Sequence, residues 1–417
     1  MLTRTLVDVR PLRTSRAFRR WWVGSLLSGL GSQLTAFAAT YYVWSTTHRP
    51  ALVGGLALAE LVPTVAGALV GGSLADRTDR RRLVLVARVG QLVATAALAL
   101  VATGSPGSLV PVFVLVAGQA GLAALAAPAV RSFTVRLLPA EQLGAGLALS
   151  RLSLQACLLT GPLLAGVLTA LVGVRLCFAV DALTFLTGLW GVAGLPAMRP
   201  EHVEGGPDLR GLPAAVRLVL GNPVLLGAFA TDLAATVLAM PVALFPVVNA
   251  ELYGGSPVTL GLFAPAIGLG GIVAGALSGH SSRSSRPGRL MLVAAGAWGL
   301  ALAGFGATHV LWFGLACLAV AGAADTVSVV ARGVVVQHAV PDAVRGRVNA
   351  LDHLVGVSGP QLGSFRAGLV ASASSGAAAA VLGGLTSLVA VGLVAAGTPS
   401  LRRWRPVDSV SGAIPRC

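Results

Sequence analysis

Long apolar segments separated by short polar ones run through the whole chain. A helix needs roughly 20 predominantly apolar residues to cross the hydrocarbon core of a bilayer, and twelve segments of the 417-residue chain have about that length. The pattern therefore predicts an all-α membrane protein with twelve transmembrane helices. The predicted spans are 20–44, 51–74, 83–103, 108–135, 143–172, 174–196, 223–250, 258–279, 289–307, 310–338, 344–373 and 375–397.

One polar stretch, residues 197–222, is longer than the others and divides the chain into two parts of similar size. A weak internal repeat indicates that the two parts are pseudo-symmetric, which is one architecture of membrane transporters. The predicted organisation is a cytosolic N-terminal segment over 1–19, a six-helix half over 20–196, a cytosolic linker over 197–222, a second six-helix half over 223–397 and a cytosolic tail over 398–417.

The repeat is clearest at spans 5 and 11, each of which follows a proline and an acidic residue and carries a Gly-Pro pair. The pairs are Gly161 with Pro162 and Gly359 with Pro360. Proline removes a backbone hydrogen-bond donor and glycine permits bending, so we expect a helix break at each pair. An ordinary packing kink is the alternative.

Charged residues make up 11% of the chain, against about 25% in soluble domains. The formal charge of +15 could indicate nucleic-acid binding, but the arginines lie in short segments between the apolar runs. With the N-terminus inside, 25 arginines fall in cytosolic segments and 2 in outer loops. This bias predicts a multi-pass protein of the plasma (inner) membrane with both termini cytosolic and no nucleic-acid partner.

The sequence contains no pattern typical of an enzyme or of a metal site. The four cysteines and six histidines show no metal-ligand spacing. The glycine-rich P-loop that would bind and hydrolyse a nucleotide is also absent from the sequence. We therefore expect no enzymatic activity, no metal and no cofactor.

The loop between spans 2 and 3 carries the most specific motif, because residues 72–81 read Gly-Ser-Leu-Ala-Asp-Arg-Thr-Asp-Arg-Arg. A plain positive-inside loop explains the arginines but not the spacing of Gly72, Asp76 and Arg77. The segment resembles the signature of the major facilitator superfamily, G-x-L-A-D-R-x-G-R-R, with Asp79 in place of the second glycine. The resemblance implies two pseudo-symmetric six-helix halves and secondary active transport.

In that superfamily the loop latches the two halves in the outward-facing state, and its aspartate lies close to the N-terminal end of span 11. Carried to this sequence, the resemblance implies that Asp76 lies near Val344, Arg345 and Arg347. The residues of the implied conformational latch are Gly72, Asp76, Arg77, Arg81, Arg345 and Arg347.

Three further segments narrow the resemblance to one branch of the superfamily. Residues 31–35 read Gly-Ser-Gln-Leu-Thr, residues 128–131 read Pro-Ala-Val-Arg and residues 345–348 read Arg-Gly-Arg-Val. They are similar to the branch of the enterobactin and macrolide exporters. This implies export of a siderophore such as an enterobactin-like catecholate, or of a hydrophobic drug such as a macrolide, by alternating access with proton antiport. The chain departs at Gln119, where many proton-driven drug exporters carry an arginine.

Several polar side chains lie inside the predicted spans, where an ionisable group costs roughly 2.5–3.5 kcal/mol on insertion scales and is therefore a functional candidate. Glu60, Asp232 and Asp325 are candidates for proton coupling, and fixed ion pairs that serve packing are the alternative. The candidates for the substrate cavity are Gln33, Gln119 and Arg332. For the two glutamines, interhelical hydrogen bonds are the alternative.

Two other functions stay open from the sequence. A non-transporting membrane sensor or assembly partner would keep the fold, but the carboxylates of Asp232 and Asp325 argue against it. A nutrient importer would suit a strongly polar cavity, whereas the predicted cavity is mostly apolar. The expected partners are a small-molecule substrate, protons and the lipid bilayer, and we expect the chain to be a monomer.

Overall fold

The computed structural model describes residues 8–102, 109–199, 212–277 and 284–405, and every regular element in these ranges is helical. A short 3-10 turn, Val242–Leu244, lies between the ninth and tenth helices. The helices are α1 (Arg10–Thr14), α2 (Arg16–Thr47), α3 (Pro50–Arg77), α4 (Arg80–Val101), α5 (Val110–Leu137), α6 (Ala140–Val172), α7 (Val174–Ala193), α8 (Leu212–Gly221), α9 (Pro223–Ala239), α10 (Phe245–Leu252), α11 (Pro257–Ala276), α12 (Pro287–Ala307), α13 (Leu311–Ala339), α14 (Asp342–Ala373), α15 (Gly376–Gly397) and α16 (Pro399–Arg403).

Ten helices of the described ranges are long and apolar enough to cross a membrane, with Pro223–Leu252 counted as one span. They coincide with ten predicted spans, and their ends differ from the prediction by three residues or fewer. The other two predicted spans correspond to α2 and α14, which are helices of 32 residues each. These two are more polar because they carry side chains such as Gln33, Asp352 and Arg366. The all-α membrane fold is confirmed, and the count of twelve spans depends on α2 and α14.

The seventh predicted span is not one continuous helix. Its helix α9 ends at Ala239, Met240 is extended, and a helix resumes only at Phe245. The reason is Pro241, because a proline pushes the residue before it out of the helical region and donates no backbone hydrogen bond. The break leaves carbonyl groups at the end of α9 without helical partners, and Arg366 donates to one of them, the Leu238 carbonyl, at 2.6 Å.

The helix breaks predicted at the Gly-Pro pairs are wrong. Helix α6 continues through Gly161 and Pro162, and α14 continues through Gly359 and Pro360. One missing backbone donor does not end a transmembrane helix whose remaining backbone bonds are kept and whose neighbours pack closely. The glycines instead mark close helix approaches, since a side chain at Gly161 would collide with Gln33 and one at Gly359 with Thr236.

The predicted linker contains a helix that the sequence pattern did not reveal. Helix α8 is ten residues long, and its Ala215 and Val219 are buried in a hydrophobic cluster with Leu225, Phe229 and Val336. The glycines, prolines and charges that make the segment polar lie mostly in residues 200–211, outside the described ranges. The short apolar face of α8 is what folds it onto α9, α13 and α14.

The chain forms two compact units: unit 1 comprises residues 1–47 and 59–207, and unit 2 comprises residues 48–58 and 208–417. Helix α3 therefore contributes its first residues to unit 2. Within unit 2 this part of α3 crosses α14 closely, because a side chain at Gly54 would meet the backbone of Ser364 and Phe365. The Ala51 amide also donates to the Ser372 hydroxyl at 2.8 Å. The boundaries predicted from the sequence, 20–196 and 223–397, stay a prediction.

Small residues set the helix spacing inside unit 2. Helices α11 and α13 cross where Gly270 faces the backbone of Ala319 and Gly322 faces the backbone of Ile267. A Cβ atom added at either glycine would overlap main-chain atoms of the other helix. Such small-residue crossings let transmembrane helices gain dispersion contacts that larger side chains would prevent.

Candidate functional site

Unit 2 contains a cluster of three charged side chains on three different helices. Arg332 of α13 forms an ion pair with Asp232 of α9 and a second, at 3.3 Å, with Asp352 of α14. The side chains of Arg332, Asp232 and Asp352 are 8%, 11% and 33% exposed. We call these three residues the Arg332 cluster. The structure thus brings together two residues that the sequence predicted, Asp232 and Arg332, and adds Asp352.

The close packing of α9 against α14 explains why the two carboxylates meet. Gly359 and Gly363 on α14 face Thr236 on α9 so closely that a side chain at either position would collide with it. Asp232 lies one helical turn before Thr236, whose hydroxyl donates to the Asp232 carbonyl at 2.8 Å. On α14, Asp352 lies two helical turns before Gly359.

A single nitrogen of Arg332, Nη1, contacts both carboxylates of the cluster. One guanidinium therefore serves two acids, and with both acids ionised the cluster carries a net charge of −1. Buried charges are tolerated only when paired. The cluster therefore contains one acid in excess of its cation.

Asp325 lies on the same helix as Arg332 but is not a member of the cluster. It precedes Arg332 by seven residues, about 10.5 Å along the helix axis. It is exposed, and it has no ion pair or hydrogen bond with the part of the chain that the structure describes. Glu60, the third predicted carboxylate, lies half-buried on the part of α3 that belongs to unit 1.

Unit 1 contains a polar network around Asp181 of α7, which is fully buried. Its Oδ2 accepts from the Thr35 hydroxyl at 2.6 Å and from Gln119 Nε2 at 3.5 Å, and its Oδ1 accepts from the Thr184 hydroxyl at 3.1 Å. Helix α2 approaches here at Gly31, where a side chain would collide with Asp181 and Thr184. The interhelical hydrogen bonds considered for Gln119 are thus present.

The remaining predicted cavity residue of unit 1, Gln33, is half-buried beside Gly161. Its amide makes no hydrogen bond within residues 8–102, 109–199, 212–277 and 284–405. Arg88 of α4 donates to the Ser28 hydroxyl of α2 at 2.8 Å, and its guanidinium lies 5.6 Å from the ring centroid of Phe185. Asp181 and Asp352 are not among the predicted site residues, because the sequence does not fix their depth in the membrane.

The loop between α3 and α4 shows why Asp79 can replace the glycine of the superfamily signature. Asp79 has φ −62° and caps α4, and its carboxylate accepts from the Arg81 amide at 2.9 Å and the Met198 amide at 3.0 Å. The Arg80 amide in turn donates to the Met198 carbonyl at 3.2 Å. The loop needs no glycine conformation, and Asp79 fixes it to the segment after α7.

Replacing Asp79 by alanine is expected to lower the free energy of unfolding by about 1 kcal/mol, because one helix cap is lost. The Met198 amide loses its acceptor as well. Asp79→Asn keeps an oxygen at the same place and serves as the control. Thermal unfolding of the purified protein in detergent measures the difference, and equal melting temperatures for the two variants would contradict this role.

The other residues of the predicted latch occupy the following positions. Asp76 is 45% exposed and lies 3.6 Å from Arg80, and the Arg81 guanidinium donates to the Ala193 carbonyl. Arg345 pairs with Asp342 of its own helix. Gly72 is half-buried, whereas Arg77 and Arg347 are exposed. The latch role of Gly72, Asp76, Arg77, Arg81, Arg345 and Arg347 stays a prediction.

Relatives of known name match nearly the whole chain. The enterobactin exporter EntS of Citrobacter koseri is 30% identical over 412 residues, which cover 98% of each chain. The enterobactin exporter EntS of Shigella boydii serotype 4 is 28% identical over 401 residues, which cover 96% of each chain. This chain is therefore similar to these exporters over nearly its full length.

Solved transporter structures share the fold at low sequence identity. A variant of the nucleoside transporter NupG has a TM-score of 0.76 at 11% identity and covers 91% of this chain and 99% of its own. A D-xylose–proton symporter has a TM-score of 0.69 at 15% identity and covers 93% of this chain and 99% of its own. The family described as "Transmembrane secretion effector" matches residues 8–414. The chain belongs to this family of major facilitator superfamily transporters.

Proposed function

We propose that this protein exports a catecholate siderophore from the cytosol by alternating access, and that each cycle moves a proton in the opposite direction. The proposed proton exchange is supported by the Arg332 cluster, in which two carboxylates inside the helix bundle share one buried cation. The substrate class is supported by the names of the curated relatives, which are enterobactin exporters.

Membership of a transporter family already means that the protein is a multi-pass membrane transporter and not an enzyme. A membrane sensor or assembly partner, the alternative considered from the sequence, does not need a carboxylate in excess of its cation inside the helix bundle. A protein without transport would gain nothing from keeping an unbalanced acid inside a membrane helix bundle, where it costs stability. The Arg332 cluster therefore favours transport over that alternative.

The cluster suggests how a proton and the substrate alternate. When both acids are ionised, Arg332 is shared and the cluster is negative. When one acid is protonated, the other keeps Arg332 to itself and the cluster is neutral, which suits a dry, closed site. Asp352 is the more exposed of the two and is the natural point of proton entry, with Asp232 as the buried partner. Asp325 and Glu60 stay candidates for a relay.

The proposal also covers the membrane in which the protein resides and the side on which its termini lie. We place the protein in the plasma (inner) membrane as a monomer, with both termini in the cytosol. The arginine bias supports this orientation. The count of 25 cytosolic arginines includes Arg332, which is buried within α13, and without it 24 cytosolic arginines stand against 2 outer ones. Correcting that one residue leaves the direction of the bias unchanged.

Export is tested in a bacterial strain that makes a catecholate siderophore and lacks its own exporter for it. The full chain is expected to lower the intracellular siderophore and raise the extracellular amount. Asp232→Asn and Asp352→Asn are expected to remove most of this export while the protein still reaches the membrane. Asp342→Asn, an exposed acid at the start of α14, is the control and keeps export. An unchanged intracellular amount with the unmodified chain would contradict the proposed function.

A further inference from the structure

The side chain of Gln119 is held in one orientation by its two neighbours. Its amide nitrogen carries two hydrogens, and both are used, since Nε2 donates to the Thr95 hydroxyl at 2.8 Å and to Asp181 Oδ2 at 3.5 Å. The reversed amide would bring its oxygen against a carboxylate oxygen, which is also an acceptor, and would lose this bond. Asp181 therefore decides which end of the amide faces away.

The end that faces away is the carbonyl oxygen, Oε1. It accepts no hydrogen bond from the residues that the structure describes, although the side chain is only half-buried. Asp181 itself is completely buried and anchored by Thr35 and Thr184 from two sides. A rigid, buried anchor behind a partly accessible amide is how a polar group is oriented for a ligand.

We propose that Asp181 is a positioning residue that makes Gln119 present its carbonyl oxygen to the substrate. The transporter then selects molecules that offer a hydrogen-bond donor at this point, such as the phenolic O–H of a catechol. This inference rests on the proposed export function and deepens it by naming the polarity of the group that is recognised.

The size of the selection follows from the chemistry. One hydrogen bond between neutral partners changes an affinity by about two- to tenfold. Methylating a phenolic oxygen removes the donor and leaves Oε1 facing a methyl group, so the methylated compound is expected to be transported with a KM about two- to tenfold higher. A purely structural role for Asp181 gives no such preference.

The test uses the full chain in proteoliposomes and two matched probes, 2,3-dihydroxybenzoyl-serine and 2,3-dimethoxybenzoyl-serine. The unmodified chain is expected to prefer the dihydroxy probe in KM. In Asp181→Asn, the new amide can donate as well as accept, so Gln119 can turn and present its nitrogen. The preference is then expected to disappear or to reverse. Thr184→Val removes the hydroxyl that donates to Asp181 Oδ1 and to the Asp181 main-chain carbonyl. It leaves the contact between Oδ2 and Gln119 in place and is expected to keep the preference.

The ratio of the two KM values distinguishes a reoriented Gln119 amide from a loss of folded protein, because misfolding lowers transport of both probes alike. If Asp181→Asn does not fold, Gln119→Leu carries the test, since it removes the acceptor and is expected to abolish the preference. Transport of both probes by the unmodified chain with equal KM would overturn this inference alone. Transport of neither probe would overturn the proposed substrate class together with it.

Discussion

Replacing Arg332 by leucine is expected to abolish transport and to destabilise the protein by about 3–5 kcal/mol, since removing one partner of a buried ion pair leaves uncompensated charge. Asp232 and Asp352 would then have no cation between them. The Asp232 side chain is only 11% exposed, so water cannot easily replace the lost partner. The acids would have to take up protons or admit water. Either response disrupts the packing of α9, α13 and α14.

The matched control is Arg289→Leu, which removes an exposed arginine of α12. It changes the net charge by the same amount and is expected to leave transport and stability close to those of the unmodified chain. Thermal unfolding in detergent and siderophore export measure both variants. Adding Asp232→Asn and Asp352→Asn to Arg332→Leu removes the repulsion and is expected to restore stability but not export. Full export by Arg332→Leu would show that the cluster has no role in transport.

Replacing Gly322 by alanine is expected to lower the free energy of unfolding by about 1–3 kcal/mol, the usual cost of overpacking a dense core. The added Cβ would overlap the backbone of Ile267 on α11. Main-chain atoms cannot rotate away as a side chain can, so the two helices must separate. The dispersion contacts on both sides of the crossing are lost together.

Gly333 lies on the same helix and gives a control with the opposite sign. A Cβ there meets nothing within 4 Å, and alanine in a helix interior is about 0.5–1 kcal/mol more favourable than glycine. Gly333→Ala is therefore expected to raise the melting temperature slightly, whereas Gly322→Ala lowers it. If both variants melt at the same temperature, the α11–α13 crossing is looser than the structure shows.

The hydrophobic pattern predicted the helices well because a bilayer imposes one length and one polarity on every span. It failed where the backbone departs from that rule. The interruption at Pro241 was missed because the residues around it are as apolar as a helix interior. The opposite error occurred at Pro162 and Pro360, which lie inside continuous helices. Whether a proline ends a helix depends on neighbours that donate a hydrogen bond to the freed carbonyl, as Arg366 does.

Individual residues of the Arg332 cluster could be predicted from the sequence, but their contacts with one another could not. Asp232 and Arg332 stood out because each is an expensive group inside an apolar segment. Their pairing could not be deduced, since it depends on how α9, α13 and α14 pack and no sequence spacing records that. Asp352 lies in one of the two more polar helices, so its charge was less conspicuous there. Asp181 lies in an apolar span, but its contact with Gln119 likewise depends on how the helices pack.

Proton-coupled transport in proteoliposomes tests the central claim most directly. A catecholate siderophore and an imposed pH gradient are supplied to the full chain, and substrate and proton movements are recorded together. The unmodified chain is expected to move siderophore against the proton flow, and collapsing the gradient is expected to stop its accumulation. Asp232→Asn and Asp352→Asn are expected to uncouple or stop both movements. Siderophore accumulation that ignores the collapsed gradient, or coupling that survives in both variants, would contradict it.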